Sequence, residues 1–331
     1  MGEDELQNLR REAFGYRNAA FATNTKRTYK SQIACYMKFC VNFGFLPVPA
    51  TQETLTLYCS FLARSLSASS IPGYLNVIRL MHVESGFANP LANNWEVSSI
   101  QKGISRMLGK PPKQKSPITV NILLDLFSTL ENHPTDTAFW AACLIAFFGF
   151  MRKSTLLPTN DLLLARKFIA RHDIVDLSLS SFFVVIRHSK TIQFGQRLLT
   201  LPYVSSTDHR LCPVRALLKH LGSSKLPKTS PLFNFSSSGV EMQFTHAFFV
   251  KRLKLGLTRT GNRASDVSCH SFRRGGATLA FAMGVSAIDI KLRGDWRSNA
   301  FEKYLVISPS DSLKSVKSMT MGAADMAASR R

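Results

Sequence analysis

From Thr25 to Phe43, apolar side chains recur at Tyr29, Ile33, Tyr36, Met37, Cys40 and Phe43, with basic residues between them. Spacings of three and four put these on one stripe and predict an amphipathic helix with a basic outer face. A proline-rich break, "LPVPAT", follows at 46–51. Three more helical patterns come after it: Leu55, Tyr58, Cys59, Leu62 and Leu66; then Tyr74, Leu75, Ile78 and Met81; then Val97, Ile100, Ile104 and Met107. Short Gly, Pro and Ser breaks join them. Residues 1–20 are polar, with a weak helical pattern, and read as an N-terminal tail. Residues 21–108 therefore predict a compact all-helical domain.

"GKPPKQKSP" (109–117) is basic, proline-rich and free of apolar residues, as an extended, solvated linker would be. A second domain, 118–308, follows. Thr119 is placed to cap a helix running to Leu130. The apolar run "AFWAACLIAFFGF" (138–150) reads as a buried core helix, too short to span a bilayer. Then the period changes. In "FFVVIRHSKTIQFGQRLLTLPY" (182–203) two β-rich runs flank a polar stretch, which predicts a hairpin. Helical patterns resume near 213–221, 244–256, 270–283, 286–293 and 299–306. The tail, 309–331, is rich in Ser, Met and Ala, with Leu313, Val316 and Met319 at helical spacing. The fold class predicted is mainly α with a small β-hairpin or sheet: a helical domain followed by a mixed α+β domain.

Charge narrows the function. Among 331 residues, 42 Lys and Arg face 21 Asp and Glu, a net charge of +21. Such an excess draws polyanions: nucleic acid, an acidic membrane surface or an acidic protein. The cations are spread along the whole chain, which favours a folded protein gripping a long polyanion over a basic anchor. The six cysteines form no CxxC pair and read as free thiols in a reducing compartment. The N-terminal "MGEDELQNLRREAF" has no apolar core and is no secretory signal. No GxxxxGK[ST] loop, HExxH or EF-hand pattern is present, so neither metal nor cofactor is expected.

The stretch "CHSFRRGGATLAFAMG" (269–284) opens an apolar helix with a histidine, two arginines and two glycines. His270 and Arg273 share one helix face, and Gly275 and Gly276 leave room for another backbone to come close. Arg152, Lys190 and Tyr304 join them as candidates. Singly, each has a plain structural explanation: a helix end, a turn, an amphipathic face. Together, in this order, they have a pattern.

That pattern resembles the tyrosine recombinase (phage integrase) family. "FGFMRKSTLLP" (148–158) is similar to the box that carries the family's first arginine, "RHSKTIQF" (187–194) to the hairpin with its lysine, "HSFRRGGATLAFAMGV" to its H-x-x-R box, and "LRGDWRSNAFEKYL" (292–305) to the box with its tyrosine. The last wording is most similar to recombinases of eukaryotic mobile elements of the DIRS, Ngaro and Crypton types, and the helical module resembles the family's core-binding domain. The resemblance spans roughly residues 21–308. It departs from the family pattern twice. An acidic residue is common three positions after the first arginine, where this chain has Thr155. A His or Trp usually follows the glycine directly, where this chain has Asp295 and then Trp296.

The resemblance implies a site-specific recombinase that cleaves and rejoins DNA through a 3′-phosphotyrosine to integrate or excise a mobile element. Arg152 and Arg273 would hold the phosphate, since guanidinium forks bind it bidentately and stay charged. Tyr304 would attack phosphorus. His270 would handle the phenol's proton, Lys190 would protonate the leaving 5′-hydroxyl, and the Trp296 indole would donate to the phosphate and pack on Tyr304. Lys26, Arg27, Lys30, Arg79, Lys251, Arg252 and Lys254 are the candidate phosphate contacts that give affinity without reading sequence. The expected partner is double-stranded DNA, closed between the two domains. A homotetramer on paired sites, exchanging the C-terminal tail, is implied; a membrane or small-molecule substrate is not. Residence would be nuclear if the eukaryotic affinity holds, and otherwise cytoplasmic. Two alternatives stay open: a relaxing enzyme of the type IB topoisomerase kind using the same residues, and a domesticated DNA-binding protein without the chemistry.

Overall fold

The computed structural model describes residues 2–111, 114–131, 133–158 and 168–306, with Leu313, Val316, Lys317 and 319–321 from the tail. It divides into two compact units, Met1–Lys113 and Gln114–Arg331.

The first unit is all helical. Helix α1 (Gly2–Ala19) takes up the polar N-terminal segment, and its side chains are exposed. The four predicted helices follow as α2 (Thr23–Phe43), α3 (Gln52–Ala63), α4 (Ile71–Glu84) and α5 (Trp95–Leu108). Their ends use local chemistry. Gly44 closes α2 at φ 71°, Thr51 Oγ1 accepts from Thr54 N at 3.1 Å, and Asn94 Oδ1 accepts from Val97 N at 3.1 Å. The apolar stripes meet in a core of Tyr36, Phe39, Leu55, Tyr58, Leu62, Leu75 and Ile78. The proline-rich break is tied down from both sides: Tyr36 Oη donates to Pro47 O (3.0 Å), and Ala50 N donates to Nε2 of buried His82 (2.8 Å).

The second unit is built around α7 (Pro134–Phe148), whose residues from Asp136 to Phe147 are all buried. Such a helix must be covered on every side. Around it lie α6 (Val120–Ser128), capped by Thr119 Oγ1 accepting from Ile122 N at 3.2 Å; the short α8 (Lys153–Leu156); α9 (Pro213–Ser223); α10 (His246–Arg259); α11 (Cys269–Ala282); and α12 (Ala287–Arg293). A three-stranded antiparallel sheet runs β1 (Ile174–Val175), β2 (Ser181–Ile186), β3 (Leu199–Val204). Its β2–β3 hairpin pairs Ile186 with Leu199 and so projects residues 187–198 as one long loop. A second hairpin, β4 (Phe235–Ser237) and β5 (Val240–Met242), turns on Ser238 and Gly239, both at positive φ. Its strands are too short for an alternating pattern to announce them. The architecture is mainly helical with small antiparallel sheets, as the sequence predicts. Among the described residues, no helix is long and apolar enough to cross a membrane.

The paired glycines of α11 answer a packing need. A Cβ on Gly275 would overlap Ile118 O, and one on Gly276 would overlap Phe147 O and press on the Phe150 ring at 2.7 Å. We expect Gly275→Ala and Gly276→Ala each to destabilise this unit by about 1–3 kcal/mol, since neither carbonyl is free to move. Thermal unfolding checks this, and a wild-type midpoint for both variants would refute it.

Candidate active site

Four structural devices bring the predicted chemistry to one place. The first is the end of α7. The chain leaves it at Gly149, passes Phe150 in the left-handed region (φ 48°), and starts α8 with Arg152 at the cap position. Arg152 therefore does not sit in the last turn of the buried helix; it opens the next one. Its Nη2 donates to Asp295 O at 3.1 Å, and Nη1 lies 3.6 Å from Asp295 Oδ2.

The second device is α11. Ser268 caps it, accepting from His270 N at 3.2 Å, so His270 stands at the helix start and Arg273 one turn further in. Arg273 is 2% exposed. Its Nη1 donates to Phe150 O, its Nη2 donates to Gly294 O at 2.6 Å, and its Cζ lies 3.7 Å from the Trp296 ring centre. Its Nε is buried with no hydrogen-bond acceptor among the described residues. A buried donor left over in this way is placed for an oxygen the chain does not supply.

The third device is the turn after α12. Gly294 is required because the Trp296 ring lies across it, where a Cβ would collide. Asp295 follows at φ 54°, and Trp296 folds back against Phe150, Phe301 and Tyr304, with ring centres 6.3, 6.1 and 5.3 Å away. Two residues with strained backbone, Phe150 and Asp295, thus flank the buried guanidinium, as strain at functional sites often does.

The fourth device is the segment that carries Tyr304. The spacing predicts a helix over 299–306; the chain instead forms a 3-10 turn, Asn299–Tyr304, and then runs extended. The reason lies in α11. Arg274 Nε and Thr278 Oγ1 donate to Tyr304 O at 3.3 and 3.2 Å, so tertiary donors take the carbonyl that another helical turn would use. Held there, Tyr304 Oη lies 3.1 Å from His270 Nε2, and the Arg273 Cζ is 5.6 Å from its ring centre.

The structure thus brings together Arg152, His270, Arg273, Trp296 and Tyr304. Lys190 lies on the β2–β3 loop with its side chain exposed, and Gln193 Nε2 donates to its carbonyl at 2.6 Å. Burial pushes the His270 pKa below the ordinary imidazole value although the ring edge reaches solvent; Arg273, Arg152, Lys153 and Lys190 push the same way. Burial and then Arg152 also lower Arg273, against the opposing pull of Tyr304 and Asp295. It remains a cation, as guanidinium does at any working pH. In the tautomer with its proton on Nδ1, His270 Nε2 accepts the hydrogen bond of the phenol. Converging cations beside an aligned phenol and imidazole can bind an anion and make the phenol a nucleophile.

Known proteins resemble this chain in sequence and in fold. No protein-family profile matches the chain. An integrase/recombinase xerD homolog of Selenomonas ruminantium is 26% identical over 282 residues, covering 81% of this chain and 77% of that protein. Over four fifths of its length the chain is thus similar to an integrase/recombinase protein. Solved structures share the fold at low identity. The Tn1549 transposon integrase in complex with transposon right end DNA matches with a TM-score of 0.60 at 12% identity, over 93% of this chain and 98% of that one. XerH recombinase bound to palindromic difH substrate matches at 0.55 and 13% over 88% and 78%. A lambda integrase dimer bound to a COC′ core site matches at 0.53 and 13% over 88% and 75%.

Among the candidate phosphate contacts, Lys26, Arg27 and Lys30 are exposed on α2, and Arg79 is half-buried on α4, its Nε donating to Asn76 Oδ1 at 3.0 Å. Lys251 and Lys254 are exposed on α10. Arg252 is a correction. It points inward, with Nε 2.8 Å from Oδ1 of buried Asp136, Nη2 donating to Thr129 O at 2.9 Å, and the Phe139 ring beneath it. Arg252 shares the helix face of buried Phe249 and Gly256, at spacings of three and four, and so points inward, where it holds α10 to α6 and α7 rather than facing solvent. Of the tail, Leu313, Val316 and Met319 are exposed, and most of 309–331 lies outside the described residues.

Sequence reasoning missed the partners of Asp295. Its carboxylate accepts from Ser189 Oγ at 3.0 Å, from Thr191 Oγ1 and from Arg197. One signal existed: a carboxylate directly after Gly294 in a chain with twice as many cations as anions.

The lowered His270 pKa has a consequence for rate. Above it the ring is neutral and able to accept a proton; below it the ring is protonated and cannot. A reaction in which His270 accepts the phenol's proton should, per unit of free enzyme, rise with pH through a midpoint below the usual 6.5 and be level by neutrality. His270→Gln should remove that rise. The pH profile of the trapping rate on a nicked duplex checks this; a rise centred above pH 7 would contradict it.

Proposed function

We propose that this protein is a site-specific DNA recombinase that cuts and rejoins strands through a covalent 3′-phosphotyrosine, serving the integration or excision of a mobile element. The observation that carries the reading is the hydrogen bond of Tyr304 Oη to His270 Nε2 beside the guanidiniums of Arg152 and Arg273. Tyr304 Oη attacks phosphorus and its proton passes to His270. The bond to the 5′ oxygen breaks, and Lys190 protonates that oxygen. A phosphodiester becomes a phosphotyrosine diester of the same charge, so a second 5′-hydroxyl reverses the step without an external energy source. Arg152 and Arg273 stabilise the charge that builds on the non-bridging oxygens, and the indole N–H of Trp296 adds a further donor.

Related structures support a DNA partner: the Tn1549 integrase, XerH and lambda integrase are each bound to DNA. The first is a transposon protein, which favours the mobile-element role. Lys26, Arg27, Lys30, Arg79, Lys251 and Lys254 supply phosphate contacts outside the catalytic pocket. Assembly as a tetramer on paired sites is supported by an apolar groove of about 780 Å³ lined by Val204, Leu279, Met283, Val285 and Leu292. It suits Leu313, Val316 and Met319 from the tail of a second copy. The Gly294-Asp295-Trp296 wording favours the eukaryotic mobile-element branch and, with it, work in the nucleus.

The test is to trap the protein on randomised nicked duplexes, sequence the trapped DNA, and supply the recovered site in paired copies. Covalent trapping at a defined site, with recombination of the pair, is expected. Binding without trapping would overturn the chemistry. Supercoil relaxation without recombination would make the protein a relaxing enzyme.

A further inference from the structure

We propose that Asp295 is a positioning residue: its carboxylate anchors the loop that presents Lys190, while its backbone carbonyl holds Arg152. This rests on the recombinase reading above.

Thr155 is buried three residues after Arg152 and has no charge to pair with it. The carboxylate that faces Arg152 comes instead from Asp295, 7% exposed and held at φ 54°. Its contacts are unevenly distributed. Arg152 bonds chiefly to the Asp295 carbonyl, at 3.1 Å, and stands 3.6 Å from the carboxylate. Ser189 and Thr191, the two residues flanking Lys190, both donate their hydroxyls to Oδ2, and Arg197 from the far side of the same loop pairs with Oδ1. Arg297, two residues on, donates to Thr191 O at 2.5 Å. A twelve-residue loop between β2 and β3 is otherwise a poor place from which to aim a proton donor. With Asp295 in place, both neighbours of Lys190 are fixed to the turn that also carries the Arg273 acceptor Gly294 O and the Trp296 ring.

If Asp295 acts through Lys190, its loss should show in the protonation of the leaving group and little elsewhere. A substrate with sulfur in place of the 5′ bridging oxygen separates the two, because a thiolate leaves without needing a proton. With the ordinary oxygen duplex, Asp295→Ala should lower the single-turnover cleavage rate about 100-fold, the scale of a general acid's contribution. With the sulfur duplex the loss should shrink to less than about fivefold, and Lys190→Ala should behave the same way. Asp295→Ala should add little to Lys190→Ala, since both remove one function. Should Asp295→Ala fold poorly, Ser189→Ala with Thr191→Val severs the same anchor from the loop side and should give the same oxygen-selective loss. Equal losses on both duplexes, or full additivity with Lys190→Ala, would overturn the proposal. Failure of the unaltered protein to cleave either duplex would instead overturn the recombinase reading.

Discussion

Tyr304→Phe is expected to bind DNA with an affinity within about twofold of wild type and to form no covalent adduct, because on the proposed reading only the nucleophilic oxygen has been removed. The ring that packs 5.3 Å from Trp296 remains, and the backbone carbonyl still accepts from Arg274 and Thr278. The lost hydrogen bond to His270 costs about 1 kcal/mol of stability at most, as a half-exposed hydroxyl can turn to water. Denaturing gels of the trapped complex read the adduct, and a binding titration reads the affinity. Persistent covalent trapping by the phenylalanine variant would mean that another side chain attacks, and the assigned chemistry would fall with it.

Arg273→Ala is the second large effect, and it strikes rate and stability together. In the proposed reaction the guanidinium would donate to phosphate through Nε, which has no acceptor among the described residues, and it clamps the chain through Phe150 O and Gly294 O. Loss of a pre-placed donor to developing negative charge costs about 10²–10³ in rate. Two buried carbonyls left without a partner cost about 1–3 kcal/mol each. Arg273→Lys restores the charge but cannot span both carbonyls and still reach an oxygen, so it should recover less than a tenth of the rate, by the geometry of the fork. Single-turnover trapping and thermal unfolding, measured side by side, test both halves. Near-wild-type cleavage by Arg273→Lys would show that charge alone suffices.

The fold was legible where the cause of structure is local. Helices α2 to α7 follow from apolar spacing and from caps such as Thr51, Asn94 and Thr119, which act within a few residues of themselves. The β2–β3 hairpin follows from a change of period. Signals failed where the cause is distant. The β4–β5 hairpin has too few residues to alternate, and the segment with Tyr304 departs from helix because donors on α11 bind its carbonyl. Arg252 shows the same limit in a single side chain. A cation between two exposed lysines reads as solvent-facing, and only the packing of α10 on α7 shows that Asp136 claims it.

The residue types of the site, and their order along the chain, are properties of the sequence alone: a phenol, an imidazole and two guanidiniums recur in boxes whose chemistry makes sense only together. What the tertiary structure decided is which of them meet and who holds them. Charge pairing depends on distance through space, and Asp295 lies 143 residues from Arg152 and 106 from Ser189. No local pattern encodes such a contact; it exists only once α11, α12 and the hairpin have packed around α7.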